Sequence, residues 1–538
     1  RYHKVTGVQT CALPISDMPK LKQGGFIMKR IVSLVLTLCL AFSIASVAWA
    51  DYDGTAPLFD ETKTISLFST NGASSYYDFD NMSWMQELIR RANVKLDLEL
   101  IDSSTYQDAL MPRLAAGVDL PDIMAIQRFD EDMSIVNTGL FLDLTELIDT
   151  YGFNIQKRYE QVPTLRSQLT TPDGKIYYMP TIDTLIDVYG TAIMANRYWM
   201  EAVDAENPTT VEEFYQICKL FKESDPNGNG KDDEIPCYLE LYYLKAMGSS
   251  WGIDLQNGFF VNEQGTIECS YASERYKNFL EYWKRMYEEG LLNADFATAT
   301  WDSSINVMSN NMLGFYYRHH DNAVTWSKTI KPDYNENEES LILYAIEPLE
   351  GPYGDRFYWA GNAIGEPFAI TKDCKDPLAA FAFLDWCYSE EANTLHFFGI
   401  EGEDYQIIDG KMVVDLERRN NNDFSYRMGN QFGGIPRVQE PIQRDITRPQ
   451  QIIDTNALLK PYYRTPILKS FFLPEEAAVL QDYKTDFNTY VEEMMISYIT
   501  GAKDLATFDS EYLNALKAMQ VDKLIEVYQA RYDRSVGK

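Results

Sequence analysis

The chain has 538 residues, 48 of them basic and 80 acidic, for a formal net charge of −32. So acidic a surface disfavours nucleic acid and anionic membranes as partners and suits a soluble protein with a neutral or cationic ligand, although solubility alone also accounts for it. The length provides for two or three domain-sized units with real cores.

Residues 1–27 stand upstream of an export signal and read as a non-native extension, outside the fold. Residues 28–50 carry that signal: Met28, the basic pair Lys29-Arg30, an apolar run from Ile31 to Ile44, and Ala48-Trp49-Ala50 as an A-x-A cleavage end. The run is shorter than the ~20 residues of a bilayer span, which weakens the alternative of a retained anchor. Lipidation at Cys39 is also weakened, because Leu38 stands where processing takes a small residue. Without the first 50 residues the net charge is −37 and five cysteines remain: Cys218, Cys237, Cys269, Cys374 and Cys387. They are too few and too widely spaced for a disulfide framework, though one pair is open.

From residue 51 the pattern alternates. Thr64–Ser69 reads as a strand and Met82–Ala92 as a helix with Asn81 as a cap. Lys95–Ile101 reads as a half-buried strand, Tyr106–Ala116 as a helix and Asp122–Ile126 as a strand. This β-α-β-α-β order implies a mostly parallel sheet that binds ligand at the carboxyl ends of its strands. A second unit is expected from about Pro180, with amphipathic helices at Met200–Ala202, Val211–Phe221 and Glu274–Glu289. Farther on, Ala363–Thr371 reads as a strand containing Pro367, Ala379–His396 as one long apolar helix, and Arg418–Pro449 as a polar loop. Helices at Pro474–Tyr498 and Ser510–Arg534 close the chain.

The sharpest local signal is Asp225-Pro226-Asn227-Gly228-Asn229-Gly230-Lys231-Asp232-Asp233-Glu234. Calcium takes six to eight oxygens. Asp225, Asn227 and Asn229 alternate, Gly230 permits the turn, and the Lys231 carbonyl fits the seventh loop position. Asp233 and Glu234 complete the set. Pro236 stands at position twelve, where an EF-hand has its bidentate Glu, so Glu234 must serve two positions early. A metal-free Asx turn is the competing reading. Any calcium here is structural, since nothing beside the loop is reactive.

No phosphate-binding G-x-x-x-x-G-K-[ST] loop or H-E-x-x-H helix occurs. His319 and His320 are adjacent, and adjacent residues rarely converge on one ion. A glycosidase needs only two facing carboxylates, and among so many acids the sequence singles out no pair.

Several segments resemble one family, the extracellular solute-binding proteins of carbohydrate ABC importers, especially the alginate-binding and related large members. Leu120-Pro121-Asp122-Ile123 resembles their "PDI" strand, and Asp173-Gly174-Lys175-Ile176-Tyr177-Tyr178-Met179-Pro180 their "DGKIYGLP" segment. The run from Thr209 to Phe214 resembles their "P-x-T-x-x-E-F" helix start. Asp225–Pro236 resembles their calcium-holding "DPDGNGKKDEIP" loop, Gly399–Tyr405 their "GIEGxxY" segment, and Asp522–Arg534 their closing helix. The sequence departs from the family at Asn196–Met200, where "RKDWL" is usual, and in lacking a lipobox.

The resemblance implies an α/β fold of the type II periplasmic-binding-protein kind, two lobes with a ligand cleft and hinge crossovers. It divides the chain into a first lobe at 51–180, a second lobe at 181–360 with the calcium-type loop 225–236, a crossover and return segment at 361–417, and a long loop with C-terminal helices at 418–538. It implies no catalysis. It implies capture of a carbohydrate, in the form of an oligosaccharide, delivery to permease subunits, an extracytoplasmic monomer, and membrane contact only through the permease. A secreted binder of peptides or polymers without a transporter, and a glycoside-active enzyme, are the alternatives. Ligand candidates follow from position: Asn71, Gln127 and Arg128 at strand ends of the first lobe, and Trp251, Tyr316, Tyr317, Arg318, Tyr358 and Trp359 in the second lobe and beside a crossover. Trp251 or Trp359 is expected to stack on the sugar.

Overall fold

The computed structural model describes residues 52–70, 82–102, 104–126, 133–184, 190–361, 363–415, 434–467 and 470–536. The leader segment, Asn71, Gln127 and Arg128 therefore lie outside the described residues.

The expected β-α-β-α-β unit forms. Lys63–Thr70 pairs in parallel with Val94–Ile101 on one side and with Ile123–Ala125 on the other. The apolar runs bury both faces of the inner strands, and Leu67, Phe68, Ile123, Met124 and Ala125 are fully buried. The alternating edge strand Val94–Ile101 buries only one face, as its period of two requires. Helix Ser83–Ala92 turns Trp84, Met85, Leu88 and Ala92 inward and stops at Asn93 in the left-handed region. Its N-cap position is held by Met82 without a side-chain bond, and Asn81 lies outside the described residues.

Three further strands complete a six-stranded sheet: Ile364–Ile370, Met179–Asp183 and Val438–Gln439. Ile364–Ile370 runs antiparallel to both of its neighbours. Pro367, which has no N–H to give, sits where the register shifts, and its carbonyl accepts from the Ile126 N–H at 2.8 Å. The first lobe thus reaches past Pro180 to Asp183 and regains chain at Ile364 and at Val438.

Where one helix was expected over 379–396 there are two, Pro377–Trp386 and Glu390–Phe398. The break is local: the Ser389 hydroxyl caps the second helix, accepting from the Ala392 N–H at 3.1 Å. The first of the pair is apolar on all sides and accordingly buried, with one exception. Asp385, fully buried, accepts from the Asn154 and Ile155 backbone N–H groups at 3.1 and 2.9 Å and from the Asn154 amide at 3.2 Å. Helix Phe153–Gln161 begins at Gly152, which brings no capping side chain of its own. Asp385 supplies that cap from another element and places its charge at the positive helix end.

The second lobe is built on a four-stranded sheet in the order Leu343–Ala345, Thr191–Asn196, Leu313–His319, Ile235–Tyr238. Helix Val211–Glu223 opens on a capping box between Thr210 and Glu213 and lays Phe214 and Phe221 on Phe315, with centroids 4.5 and 5.4 Å apart. Gly314 permits that approach, since a Cβ there would lie 2.5 Å from the Phe221 ring. Helices Pro474–Ile499 and Val521–Ser535 join the same core, where Tyr528 stacks on Phe259 at 4.2 Å. The expected helix over 510–534 is interrupted at Gln520, which is left-handed with φ 61°. All five cysteines among the described residues are free thiols.

Three passages link the sheets: Asp183 to Thr191, Trp359 to Ile364, and Gln439 to the helix Gln450–Leu459, whose Ile452 packs in the second lobe on Ala323 and Ile342. Among the described residues no helix is long and apolar enough to cross a membrane.

Replacing Asp385 by Ala leaves two helix N–H groups and an amide buried without their acceptor, and is expected to cost about 2 kcal/mol. Urea unfolding checks this as a lower midpoint with an unchanged slope, and Asp385→Asn, which keeps one oxygen, should lose less.

Candidate functional site

The crossover geometry locates the cleft. Lys63–Thr70, Ile123–Ala125 and Met179–Asp183 all point the same way, so Thr70, Ile126 and Asp183 lie along one edge, and the chain leaves for the second lobe from that edge. In the second lobe Thr191 begins the receiving strand and pairs with His319, the last residue of Leu313–His319. Ile235–Tyr238 runs parallel to that strand, with Tyr238 opposite Tyr316. Glu240, Arg318 and His319 are thereby brought to the crossover edge.

A polar and aromatic group forms there. Arg318 makes an ion pair with Glu240, donates to the Tyr316 hydroxyl at 3.1 Å, and lays its guanidinium carbon 4.3 Å from the Trp301 centroid and 5.2 Å from that of Tyr243. Tyr316 in turn bonds the Ser304 hydroxyl at 3.1 Å. Burial pushes the Glu240 carboxyl above its ordinary value, against the pull of Arg318. Trp301 is 39% exposed, so it offers an open ring beside the fixed guanidinium. A planar cation stacked on an indole is held by the ring quadrupole and keeps its remaining N–H donors outward.

Of the residues expected to meet ligand, Arg318 and Trp359 are partly exposed. Trp359 donates to the Ile253 carbonyl at 3.3 Å and lines a cavity of about 400 Å³ shared by Thr164 and Gln168 of the first lobe and Phe260 of the second. Trp251, Tyr316, Tyr317 and Tyr358 are core residues and not open platforms. Trp251 is wedged edge-on against Phe279 and Tyr282, each 5.2 Å away, and its indole N–H goes to Asn278 at 2.9 Å. Tyr316 packs on Trp326 at 5.4 Å. Tyr317 meets Tyr358 at 5.9 Å, and the Tyr358 hydroxyl is taken by the Ile346 carbonyl. Their strand is internal and covered on both faces, so its alternating tyrosines are buried whichever way they point. His320 is likewise buried, bonded to Asn456 at 2.7 Å.

Sequence reasoning missed Glu240 and Trp301. Trp301 had a legible signal, since Thr300 and Ser303 form a capping box that starts its helix. Glu240 had none, because its partner is 78 residues away.

On the first lobe the expected loop holds an unforeseen strap. The Gly434 N–H donates to the Thr70 carbonyl at 3.1 Å, and the Arg437 carbonyl accepts from the Ile182 N–H at 2.9 Å. Residues 434–437 therefore cross the strand ends. Arg437 is buried there, and its charge acts on Glu366, Asp183 and His396. Burial raises the Glu366 carboxyl to about 7, with Arg437 opposing. Burial, then Arg437, holds His396 well below its usual value. This histidine sits edge-on to Trp84 at 4.6 Å.

The 225–234 loop adopts the turn expected of it. The Asp225 carboxylate accepts from the N–H groups of Asn229 and Gly230 at 3.0 and 2.8 Å. Asn229 accepts from the Lys231 N–H at 2.8 Å, and Asp233 accepts from the amides of Asn227 and Asn229. Gly228 and Gly230 are left-handed, at φ 70° and 73°. The side-chain amides hold the Asp233 carboxyl below its ordinary value. Glu234 is buried with one carboxylate oxygen unpartnered, and burial followed by the charges of Asp233 and Asp225 raises its carboxyl. Among the described residues no three His, Cys, Asp or Glu side chains are drawn together tightly enough to hold a metal ion.

Residues 78–394 match the family described as bacterial extracellular solute-binding protein. Over 535 residues the chain is 23% identical to the fructooligosaccharide ABC transporter substrate-binding protein FusA of Streptococcus pneumoniae serotype 4, covering 93% of this chain and 96% of that one. Its fold matches the crystal structure of alginate-binding protein AlgQ2 without calcium ion at a TM-score of 0.71, with 23% identity over 88% of this chain and 98% of that one. It matches the S. pneumoniae FusA EF-hand mutant in complex with fructo-nystose at 0.72, with 20% identity over 88% and 99%.

Raising the Glu366 carboxyl to about 7 means that the folded chain keeps a proton the unfolded chain has already released between the ordinary carboxyl value and 7. Stability falls through that window as pH rises. Comparing Glu366→Gln with the parent protein, the difference in melting temperature should move in favour of the variant from pH 4.5 to pH 7.5. A flat difference would remove Glu366 as the titrating group.

Proposed function

Because the chain belongs to the bacterial extracellular solute-binding protein family, we propose that it captures an oligosaccharide between its lobes and delivers it to the permease subunits of an ABC importer. The family's members are binding proteins, and the activity assigned here is binding, not catalysis. The observation that carries the carbohydrate reading is the second-lobe edge, where the exposed ring of Trp301 lies beside a guanidinium fixed by Glu240. Sugars present apolar C–H faces and polar hydroxyl rims, so a cleft that holds them pairs flat aromatic faces with a few immobilised polar groups. Asn71, Gln127 and Arg128, which follow the strand ends of the first lobe, are assigned to the opposite wall, and Trp359 to the crossover. FusA binds kestose and AlgQ2 is an alginate-binding protein, which are neutral and acidic cases. Here Arg318 is balanced by Glu240 within the edge, which favours a neutral ligand.

Closure is a hinge motion about the three passages. The leader at 28–50 directs export, and the protein works as an extracytoplasmic monomer whose contact with the membrane is through the permease.

Calcium is assigned to the 225–234 loop, held by Asp225, Asn227, Asn229, the Lys231 carbonyl, Asp233 and Glu234. Support comes from the unpartnered Glu234 oxygen, the two left-handed glycines, and relatives whose structures were determined without calcium or with an altered EF-hand. Its role is to fix the loop between the helix Val211–Glu223 and the strand Ile235–Tyr238.

Trp301→Ala should weaken binding about tenfold, the equivalent of ~1.4 kcal/mol of aromatic contact, in calorimetric titration against fructo-oligosaccharides and uronate oligomers. An unchanged affinity would move the ligand away from this edge. Chelation should lower the melting temperature by several degrees, with recovery on adding calcium and no response in Asp225→Ala. A parent protein indifferent to chelator contradicts the calcium assignment.

A further inference from the structure

The strand Ile364–Ile370 enters the six-stranded sheet at the edge where its neighbours end, and it enters open and finishes buried. Gly365 is exposed and Glu366 half-buried, whereas Pro367, Phe368, Ala369 and Ile370 are all buried. Two backbone bonds fix this opening. The Ala363 carbonyl accepts from the Asp183 N–H at 2.8 Å, and the Pro367 carbonyl accepts from the Ile126 N–H at 2.8 Å. Residues 363–367 thus bridge the carboxyl ends of Met179–Asp183 and Ile123–Ala125, and Glu366 stands between them on the first-lobe side of the cleft. The ladder is irregular at that point, since the register against Met179–Asp183 shifts between Ile364 and Pro367. A shift of this kind breaks the strict alternation of faces, and at the rim of a sheet it re-aims the side chain it carries. Gly365 suits the crowding there, because a Cβ would lie 3.2 Å from that of Thr181.

The groups acting on this carboxyl come from two other elements. Arg437 on the strap acts on Glu366 and on Asp183. Tyr106, on the helix Tyr106–Ala116, is the second neighbour, and burial and then Glu366 raise its hydroxyl far above its ordinary value, so it stays uncharged. His396 behind Arg437 is held well below its usual value by burial and then by Arg437, so near neutrality it too is uncharged. Asp183 and Arg437 are of opposite sign and offset each other. Among these groups Glu366, raised to about 7 by burial, therefore sets the sign of this stretch of the edge: neutral below that value, negative above it.

We propose that Glu366 determines the charge specificity of the first-lobe wall, bonding a hydroxyl of a neutral oligosaccharide and turning away the carboxylate of a uronate oligomer. This rests on the reading of the cleft as an oligosaccharide site. Either form of the carboxyl serves a sugar hydroxyl, since the ionised group accepts on both oxygens and the protonated group also donates. The ionised form alone meets a uronate with like charge, at a half-buried position where water screens poorly. Repulsion of the wrong ligand discriminates as well as attraction of the right one. Across the cleft Arg318 is already offset by Glu240, so the second-lobe edge supplies no net positive charge to cancel the effect.

Calorimetric titration of the full chain with a neutral fructo-oligosaccharide and with a galacturonate oligomer, each at pH 5.5 and pH 8.0, tests it. The uronate is ionised at both pH values, so any change belongs to the protein. Affinity for the neutral sugar is expected to hold steady, and affinity for the uronate to be about tenfold lower at pH 8.0 than at pH 5.5. Glu366→Gln keeps the hydrogen-bonding atoms and removes the charge. It should bind the uronate equally at both pH values, as tightly as the parent does at pH 5.5. A parent whose uronate affinity ignores pH, a Glu366→Gln protein that loses as much affinity as the parent on going to pH 8.0, or a uronate that binds neither protein at either pH overturns the inference. Binding of neither sugar by the parent at millimolar concentration removes the oligosaccharide reading and this inference with it. Weakening by Trp301→Ala with the pH dependence intact in Glu366→Gln removes the inference alone.

Discussion

Parallel strands in a sheet all end on the same side, and here that simple constraint governs the site. Thr70, Ile126 and Asp183 finish together because their strands run together, and the first passage to the second lobe leaves from beside them. The second sheet is entered at Thr191, so its partner strand must return His319 and Arg318 to the same place. Neither lobe has to be designed around the cleft, since sheet direction brings chemistry from residues 70, 183, 240 and 318 to one edge. The carboxyl-end rule for open α/β sheets applies once to each lobe.

Around this edge, charges are fixed by partners from distant parts of the chain. Asp385 caps a helix through Asn154, 231 residues earlier in sequence. Arg437 lies buried on a strap that ties Thr70 to Ile182. Arg318 is held by Glu240 and flattened on Trp301. Asp385 and Arg318 each make several contacts at once, which is how a buried charge is tolerated. A binding wall needs that rigidity, because groups immobilised before the ligand arrives lose little entropy on its arrival.

The first β-α-β-α-β unit was legible within a residue or two at each end, since its strands and helices differ in period and its helices stop at Asn93 and Gly117. Val211–Glu223 was legible for the same reason, with its cap in place. Ala379–His396 was misread as one helix because apolar composition hid a single capping serine, Ser389. The tyrosines of Leu313–His319 were misread as ligand platforms because alternation shows two faces but not whether both are covered. Glu240 left no trace, and the strap at 434–437 lay inside what read as loop.

Sequence alone determined the first β-α-β-α-β unit, the segments that resemble the family and through them imply two lobes, and the oxygen-rich turn at 225–234, since each such segment depends on neighbours within about a dozen residues. Only the tertiary structure decided which aromatics are open, Trp301 and not Trp251, and which charges meet, Arg318 with Glu240. Exposure and pairing are properties of the packed chain: a side chain is a platform or a core residue according to what covers it, and the covering segments come from hundreds of residues away.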